Sequence, residues 1–105
     1  MEYRVTMAIS EANEDVVTAI FDSLLEAAPE MGPVMGETLP NGPTEYVLGL
    51  DAVDVLPACS AAISVFRSAV TNCHAARVAD TSIVDLHAER VPDWELQERA
   101  ELQTA

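Results

Sequence analysis

The chain has 105 residues, of which 50% are hydrophobic and 22% are charged. This length and composition are typical of one folded domain and argue against a disordered chain or two independent cores. Eighteen acidic residues face only five basic ones, all of them arginine, so the formal net charge is −13. Because such a surface repels phosphate backbones and anionic lipid headgroups, we expect no direct binding to nucleic acids or membranes.

Targeting signals and cysteine usage indicate the compartment. The first ten residues alternate between polar and apolar types, unlike a secretory signal, and no run reaches the roughly 18 apolar residues that span a bilayer. Cys59 and Cys73 fall 14 positions apart on one predicted helix. They would therefore lie about 20 Å from each other, too far for a disulfide bond. We predict a cytoplasmic protein with reduced thiols.

The first half of the chain predicts a strand, a helix and two further strands. The strand alternates, with one side formed by Tyr3, Val5, Met7 and Ile9 and the other by Arg4, Thr6 and Ala8. Asn13 is a helix N-cap, and Pro29 with Gly32 ends that helix. Its predicted apolar face consists of Val16, Val17, Ile20, Phe21, Leu24, Leu25 and Ala28. Residues 34–39 and 44–50 then flank a hairpin turn at residues 40–43.

The second half predicts one helix, one strand and a tail. Asp51 and Asp54 are capping candidates, and Pro57 suits the first helical turn. The expected buried stripe of this helix is Leu56, Cys59, Ile63, Phe66 and Val70, with an exit at residues 72–76. Pro92 stops a strand over residues 82–91. In that strand Val84, Leu86 and Ala88 should face inward and Asp85, His87 and Glu89 outward. Asp93 then caps a short acidic helix, or the tail is frayed.

This order of elements predicts an α+β fold of the ferredoxin-like split β-α-β type (βαββαβ). Its four-stranded antiparallel sheet carries two helices on one face. Right-handed crossovers would bring the first and last strands together in the centre of the sheet. We predict a single domain over residues 1–91 and an acidic C-terminal helix or flexible tail over residues 92–105. Because this fold hosts many activities, function must be argued from a site.

The sheet face that the helices leave open is the main candidate site. It should carry Arg4, Thr6, Asp85, His87 and Glu89, with Glu37 or Glu45 nearby. In one hypothesis His87 acts as an acid, a base or a metal ligand. Alternate strand residues lie about 6.6 Å apart, so these side chains reach one ion only by bending together. The interpretation we favour is a solvated face with weak cross-strand ion pairs.

Other patterns associated with chemistry are weak. Cys73 and His74 are adjacent, but adjacent helical residues project about 100° apart, and the C-terminal end of a helix disfavours a thiolate. We interpret His74 as a capping group and Cys59 as a small core residue. The sequence has no phosphate-binding glycine motif, nucleophile elbow, zinc-finger spacing or haem motif. We therefore predict no catalytic residues, no metal and no cofactor.

The favoured function is a non-enzymatic interaction or regulatory module that acts through protein–protein contacts. It would form a homodimer through the open face or an edge strand, with Trp94 as a partner anchor. A different hypothesis is a small-molecule or metal-binding site, or a catalytic one, on the open face. A third is an acidic mimic or inhibitor that captures a basic, nucleic-acid-binding protein.

Overall fold

The structure is a computed structural model that describes residues 1–10, 13–36, 44–73 and 81–104. The predicted turn at residues 40–43, Glu37 and His74 lie outside these residues. The strands are β1 (Glu2–Ile9), β2 (Val34–Met35), β3 (Thr44–Asp51) and β4 (Ile83–Arg90). The helices are α1 (Glu14–Ala27), α2 (Val55–Thr71) and α3 (Asp93–Thr104), and a 3-10 turn spans Pro29–Met31. None of the described helices is long and apolar enough to cross a membrane.

The four strands form one antiparallel sheet in the order β2-β3-β1-β4. This arrangement confirms the predicted α+β class and is compatible with the ferredoxin-like fold. The first and last strands are neighbours, as expected, but their predicted place in the centre was wrong. β1 and β3 are the central pair, because the second crossover carries β4 to the outer side of β1. β4 is therefore an edge strand.

The core lies between the sheet and its two main helices. Tyr3, Val5, Met7 and Ile9 are buried as the alternation predicted, and Tyr46 and the other alternate apolar residues of β3 join them. Asn13 caps α1 through its Oδ1 atom, which accepts from the backbone nitrogens of Asp15 at 3.0 Å and Val16 at 3.4 Å. Of the predicted α1 face, Leu25 is exposed instead of buried, because it lies at the margin of the covered stripe.

The predicted buried stripe of α2 was wrong except for Phe66. Asp54, not Asp51, caps the helix, since its Oδ1 accepts from the Val55 backbone nitrogen at 2.7 Å. Leu56 is 73% exposed. The residues that are buried are mostly small: Ala58, Ala62, Phe66 and Ala69. Alanines let α2 pack close to α1 and to the sheet, whereas Cys59, Ile63 and Val70 lie partly exposed at the sides.

Strand β4 begins with an irregularity that changes the direction of one side chain. Leu86 and Ala88 pack against the core as predicted, but Val84 is 58% exposed. Ala8 pairs with Asp85, whereas the next residue of β1, Ile9, pairs with Ile83. Val84 is thus the extra residue of a β-bulge, and Ile83 takes the inward position expected for Val84.

A buried hydroxyl joins β3 to α1 and gives a test of this packing. The Tyr46 hydroxyl donates to the backbone oxygen of Val17 at 2.6 Å. Burial raises the pKa of Tyr46, so the hydroxyl stays protonated and available as a donor. We expect Tyr46→Phe to lower the free energy of unfolding by about 1 kcal/mol, measured by urea denaturation.

Tyr3→Phe is the matched control for this prediction. The Tyr3 ring is also buried, but its hydroxyl donates to the Met1 Sδ atom, a weak acceptor, at 3.9 Å and has no other hydrogen bond among the described residues. Its removal should change stability by no more than a few tenths of a kcal/mol. Equal losses in the two variants would contradict a specific role for the hydrogen bond between β3 and α1.

Candidate functional site

Strand pairing arranges the open sheet face in rows of residues. In the middle row Thr6 lies between Val47 of β3 and His87 of β4, and Val34 of β2 lies opposite Val47. Val34 and His87 are exposed, and the two central residues are half-buried. This row is therefore apolar on β2 and β3 and polar on β1 and β4.

The neighbouring row is built around Ala8. Its partners are Glu45 of β3 and Asp85 of β4, and both carboxylates are exposed. Ala8 itself is only 4% exposed, although the alternation assigned it to the open face. The middle of this row therefore offers almost no surface to a ligand, and its two acidic side chains are separated by the width of β1.

The third row contains Arg4, which lies between Gly49 and Glu89. A cross-strand ion pair of the expected kind is present here, because Arg4 Nη1 lies 3.2 Å from Glu89 Oε1. The other end of the guanidinium, Nη2, donates to Glu95 Oε2 of α3 at 2.8 Å. Two carboxylates therefore hold Arg4 in place, and its guanidinium is not free to bind an anion.

Arg99 extends these ion pairs along α3. Its Nη1 lies 3.1 Å from Glu2 Oε1, and its Nη2 lies 3.3 Å from Glu95 Oε2. The linked residues Glu89, Arg4, Glu95, Arg99 and Glu2 are called the charge network below. They join α3 to β1 and β4.

The charge network shifts the pKa values of Glu95 and Arg4. The hydrogen bond from Arg4 lowers the pKa of Glu95, and Arg99 lowers it further. Hydrogen bonds to Glu95 and Glu89 in turn raise the pKa of Arg4. These side chains are partly solvent-exposed, so each pair adds little to stability.

Sequence reasoning missed Glu95, Arg99 and Glu2 as members of this cluster. Glu95 and Arg99 are four residues apart on α3, a spacing that favours an ion pair on one helix face. This signal was available, but the direction in which α3 leaves the sheet was not. Only that direction brings the pair onto Arg4 and Glu2.

The predicted open-face residues of β4 do not converge. Asp85, His87 and Glu89 are all exposed and follow one another along the edge strand. Within the described parts of the chain, no group of three or more His, Cys, Asp and Glu residues is placed to hold a metal ion. The open face thus presents a line of separate polar side chains.

The remaining candidates lie elsewhere. Trp94, in the first turn of α3, is 66% exposed, and Leu102 of the same helix is also exposed. Cys73 is buried just beyond the end of α2, Cys59 is half-buried, and both thiols are free. A groove of about 550 Å³ lies between α2 and β4. Its apolar lining is Ile63, Phe66, Val70, Ile83 and Leu86.

No protein-family model matches the sequence, and no curated protein sequence matches it. Among solved structures, the fold is similar to that of a Deinococcus radiodurans R1 protein described as a "putative transposase" and solved at 1.90 Å. The TM-score is 0.54 at 16% sequence identity, over 99% of this chain and 86% of that one. A similarity at this identity shows a shared fold and carries no activity with it.

The pKa of Glu95 provides a test of the charge network. Because Arg4 is the main cause of its lowered pKa, we expect Arg4→Gln to raise the Glu95 pKa toward its ordinary value, measured by carboxyl-carbon NMR titration. Arg99→Gln should raise it less. A carboxyl whose pKa is lower in the folded state stabilises the folded protein at pH values above its unfolded-state pKa. The contribution of Glu95 to stability is therefore lost as the pH falls through its folded-state pKa.

Arg90→Gln is the matched control for these variants. Arg90 pairs only with Asp93, at 3.7 Å, among the contacts of the described chain. Its replacement should leave the Glu95 titration unchanged. An unchanged Glu95 pKa in Arg4→Gln would contradict the contact between β1 and α3.

Proposed function

We propose that this protein is a small acidic, non-enzymatic interaction module that self-associates along the free edge of β4. The observation that carries the proposal is the position of this eight-residue strand, which among the described residues is paired with β1 on one side only. An exposed strand edge presents a row of backbone donors and acceptors that fit a second strand.

The pairing with β1 identifies which backbone groups of β4 face outward. The Val91 backbone nitrogen donates to the Glu2 backbone oxygen at 2.9 Å, so Glu2 and Val91 form a hydrogen-bonded pair. Such pairs alternate along an antiparallel ladder, so Glu89 and His87 also direct their backbone groups toward β1. The intervening residues therefore direct theirs away from the sheet: Leu86, Ala88 and Arg90.

The opposite edge of the sheet is less suited to pairing. In the described part of the chain β2 has only two residues, Val34 and Met35, and it follows Pro33. Proline has no backbone N–H to give to a new strand. The long edge at β4 is therefore the better surface for a second copy.

Two apolar features adjoin the β4 edge and support self-association there. Ile83 and Leu86 line the groove between α2 and β4, so a partner strand at this edge would cover part of the groove. Trp94 follows β4 by only four residues and is exposed at the end of that strand. Tryptophan at such a position is a common anchor in protein interfaces.

The other hypotheses have less support. An anionic ligand on the open face would need Arg4 to be available, and Arg4 is held by Glu89 and Glu95. A metal ion would need ligands that converge, and the described residues form no such cluster. Capture of a basic protein rests on the net charge of −13 alone. The same charge disfavours contact with phosphate backbones, so the description of the structural neighbour as a transposase does not extend to this chain.

Sedimentation equilibrium over a wide concentration range tests the self-association. We expect a monomer–dimer equilibrium that Ala88→Pro weakens about tenfold or more, because proline removes an outward N–H from each copy. The N–H of Ala88 is not used in the ladder with β1, and circular dichroism would check that the variant folds. A monomer at all concentrations would contradict the proposal.

Val34→Asp is the matched control, since it distinguishes the edge from the open face. Val34 is exposed on the open face at the far side of the sheet from β4. A carboxylate there should prevent association through the face and leave association through the β4 edge unchanged. Loss of the dimer in Val34→Asp but not in Ala88→Pro would assign the interface to the open face instead.

The fluorescence of Trp94 tests its role as an anchor. Trp94 is the only tryptophan in the chain, so its emission reports on this position alone. Because it is exposed in the single chain, we expect its emission maximum to shift to shorter wavelength as the protein associates. Trp94→Ala should weaken the dimer, and Leu102→Ala is the control on the same helix. A concentration-independent spectrum would show that Trp94 stays outside the interface.

A further inference from the structure

We infer that two copies pair β4 with β4 around a two-fold axis at Ala88, so that His87 of each copy lies opposite the partner's Glu89. This inference rests on the proposed self-association and specifies its register. The register determines which side chains meet across the interface.

Symmetry limits the registers to a few. When two identical antiparallel strands extend one continuous sheet, opposite side chains must lie on the same face, because strand residues alternate between faces. A two-fold axis perpendicular to the sheet satisfies this condition only when it passes through a residue. The regular part of β4 offers four such positions: Leu86, His87, Ala88 and Glu89.

Two of these registers place like charges together. An axis at His87 would put Asp85 opposite the partner's Glu89 on both sides of the axis. An axis at Glu89 would put the two Glu89 side chains directly opposite each other. Like charges in directly opposite positions destabilise a strand pair, and each chain already has a large negative charge.

An axis at Leu86 is disfavoured by the bulge. It would put His87 opposite the partner's Asp85, which is favourable, but it would also require Val84 to pair with Ala88. Val84 is the extra residue where the register between β1 and β4 shifts, so regular pairing is interrupted there. Beyond it, apolar Ile83 would lie opposite the partner's Glu89.

An axis at Ala88 avoids these conflicts. His87 then lies opposite the partner's Glu89 twice, and its imidazole N–H can donate a hydrogen bond to that carboxylate on the open face. Leu86 and Arg90 pair through outward backbone groups, and the two Ala88 residues pair with each other at the axis. The paired residues extend from Asp85 to Val91, so Val84 takes no part. Glu89 also contacts Arg4 of its own chain at 3.2 Å, so a positive group already lies beside this carboxylate.

Disulfide cross-linking tests the register, with Cys59→Ser and Cys73→Ala as the background. In the Ala88 register, positions 87 and 89 of the two copies form non-hydrogen-bonded pairs with Cα atoms about 4.5 Å apart, within the range for a disulfide. A mixture of His87→Cys and Glu89→Cys chains, one with a mass tag, should cross-link about tenfold faster than either variant alone under mild oxidation. Both residues are exposed, so the substitutions should leave the fold intact.

The alternative registers give different cross-links. Cross-linking between two His87→Cys chains would show an axis at His87, and cross-linking between two Glu89→Cys chains would show an axis at Glu89. Cross-linking of His87→Cys with Asp85→Cys would show an axis at Leu86. Any of these as the fastest reaction would overturn the Ala88 register and leave edge pairing intact. Sedimentation of the background variant distinguishes failure of the proposed self-association from failure of the proposed register. A monomer would overturn the self-association itself, and a dimer with none of these cross-links would overturn pairing through β4.

Discussion

Strand β1 has a neighbouring strand on each side. The alternation of its side chains determines which residues of the sheet are buried and which lie on the open face. All eight residues of β1 pair with β3, and most of them pair with β4. A slip of one residue would exchange the buried and open faces. With Val5 and Met7 completely buried, such a slip would put Arg4 and Thr6 into the core. The hydrophobic side of β1 therefore fixes the register of both neighbours and hence the composition of the open face.

Local sequence signals predicted the features that depend on few residues. The alternation in β1, the Asn13 cap and the order of elements were each readable because period and capping chemistry act within a short segment. The same alternation placed Arg4 and Glu89 on the open face, and the structure shows them opposite each other there. It could not show that Glu95 and Arg99 complete the charge network, because that depends on the direction of α3 in three dimensions.

The wrong prediction of the buried face of α2 has its origin in side-chain size. The predicted and observed stripes both contain Phe66, but they occupy different parts of the helix circumference. The larger apolar residues suggested one orientation, whereas the close approach of α1 and the sheet requires small residues such as Ala58 and Ala62 on the inner face. A helix with apolar residues around much of its circumference allows either orientation, and the space between the layers decides. The bulge at Val84 has a similar origin, because the extra residue is seen only when both strands are in register.

The acidity of the chain restricts where two copies can approach each other. Association brings together two surfaces of strongly negative charge, so a contact made only of carboxylates would be repulsive. Three of the five arginines, Arg4, Arg90 and Arg99, lie on β1, β4 and α3 and pair with carboxylates there. This part of the surface is consequently mixed in charge. Salt at about 0.1 M screens charges more than about 10 Å apart, whereas pairs in direct contact are screened less. Long-range repulsion therefore weakens under such conditions while local complementarity remains, which favours contact along β4 over contact through the carboxylate-bearing sides of the domain.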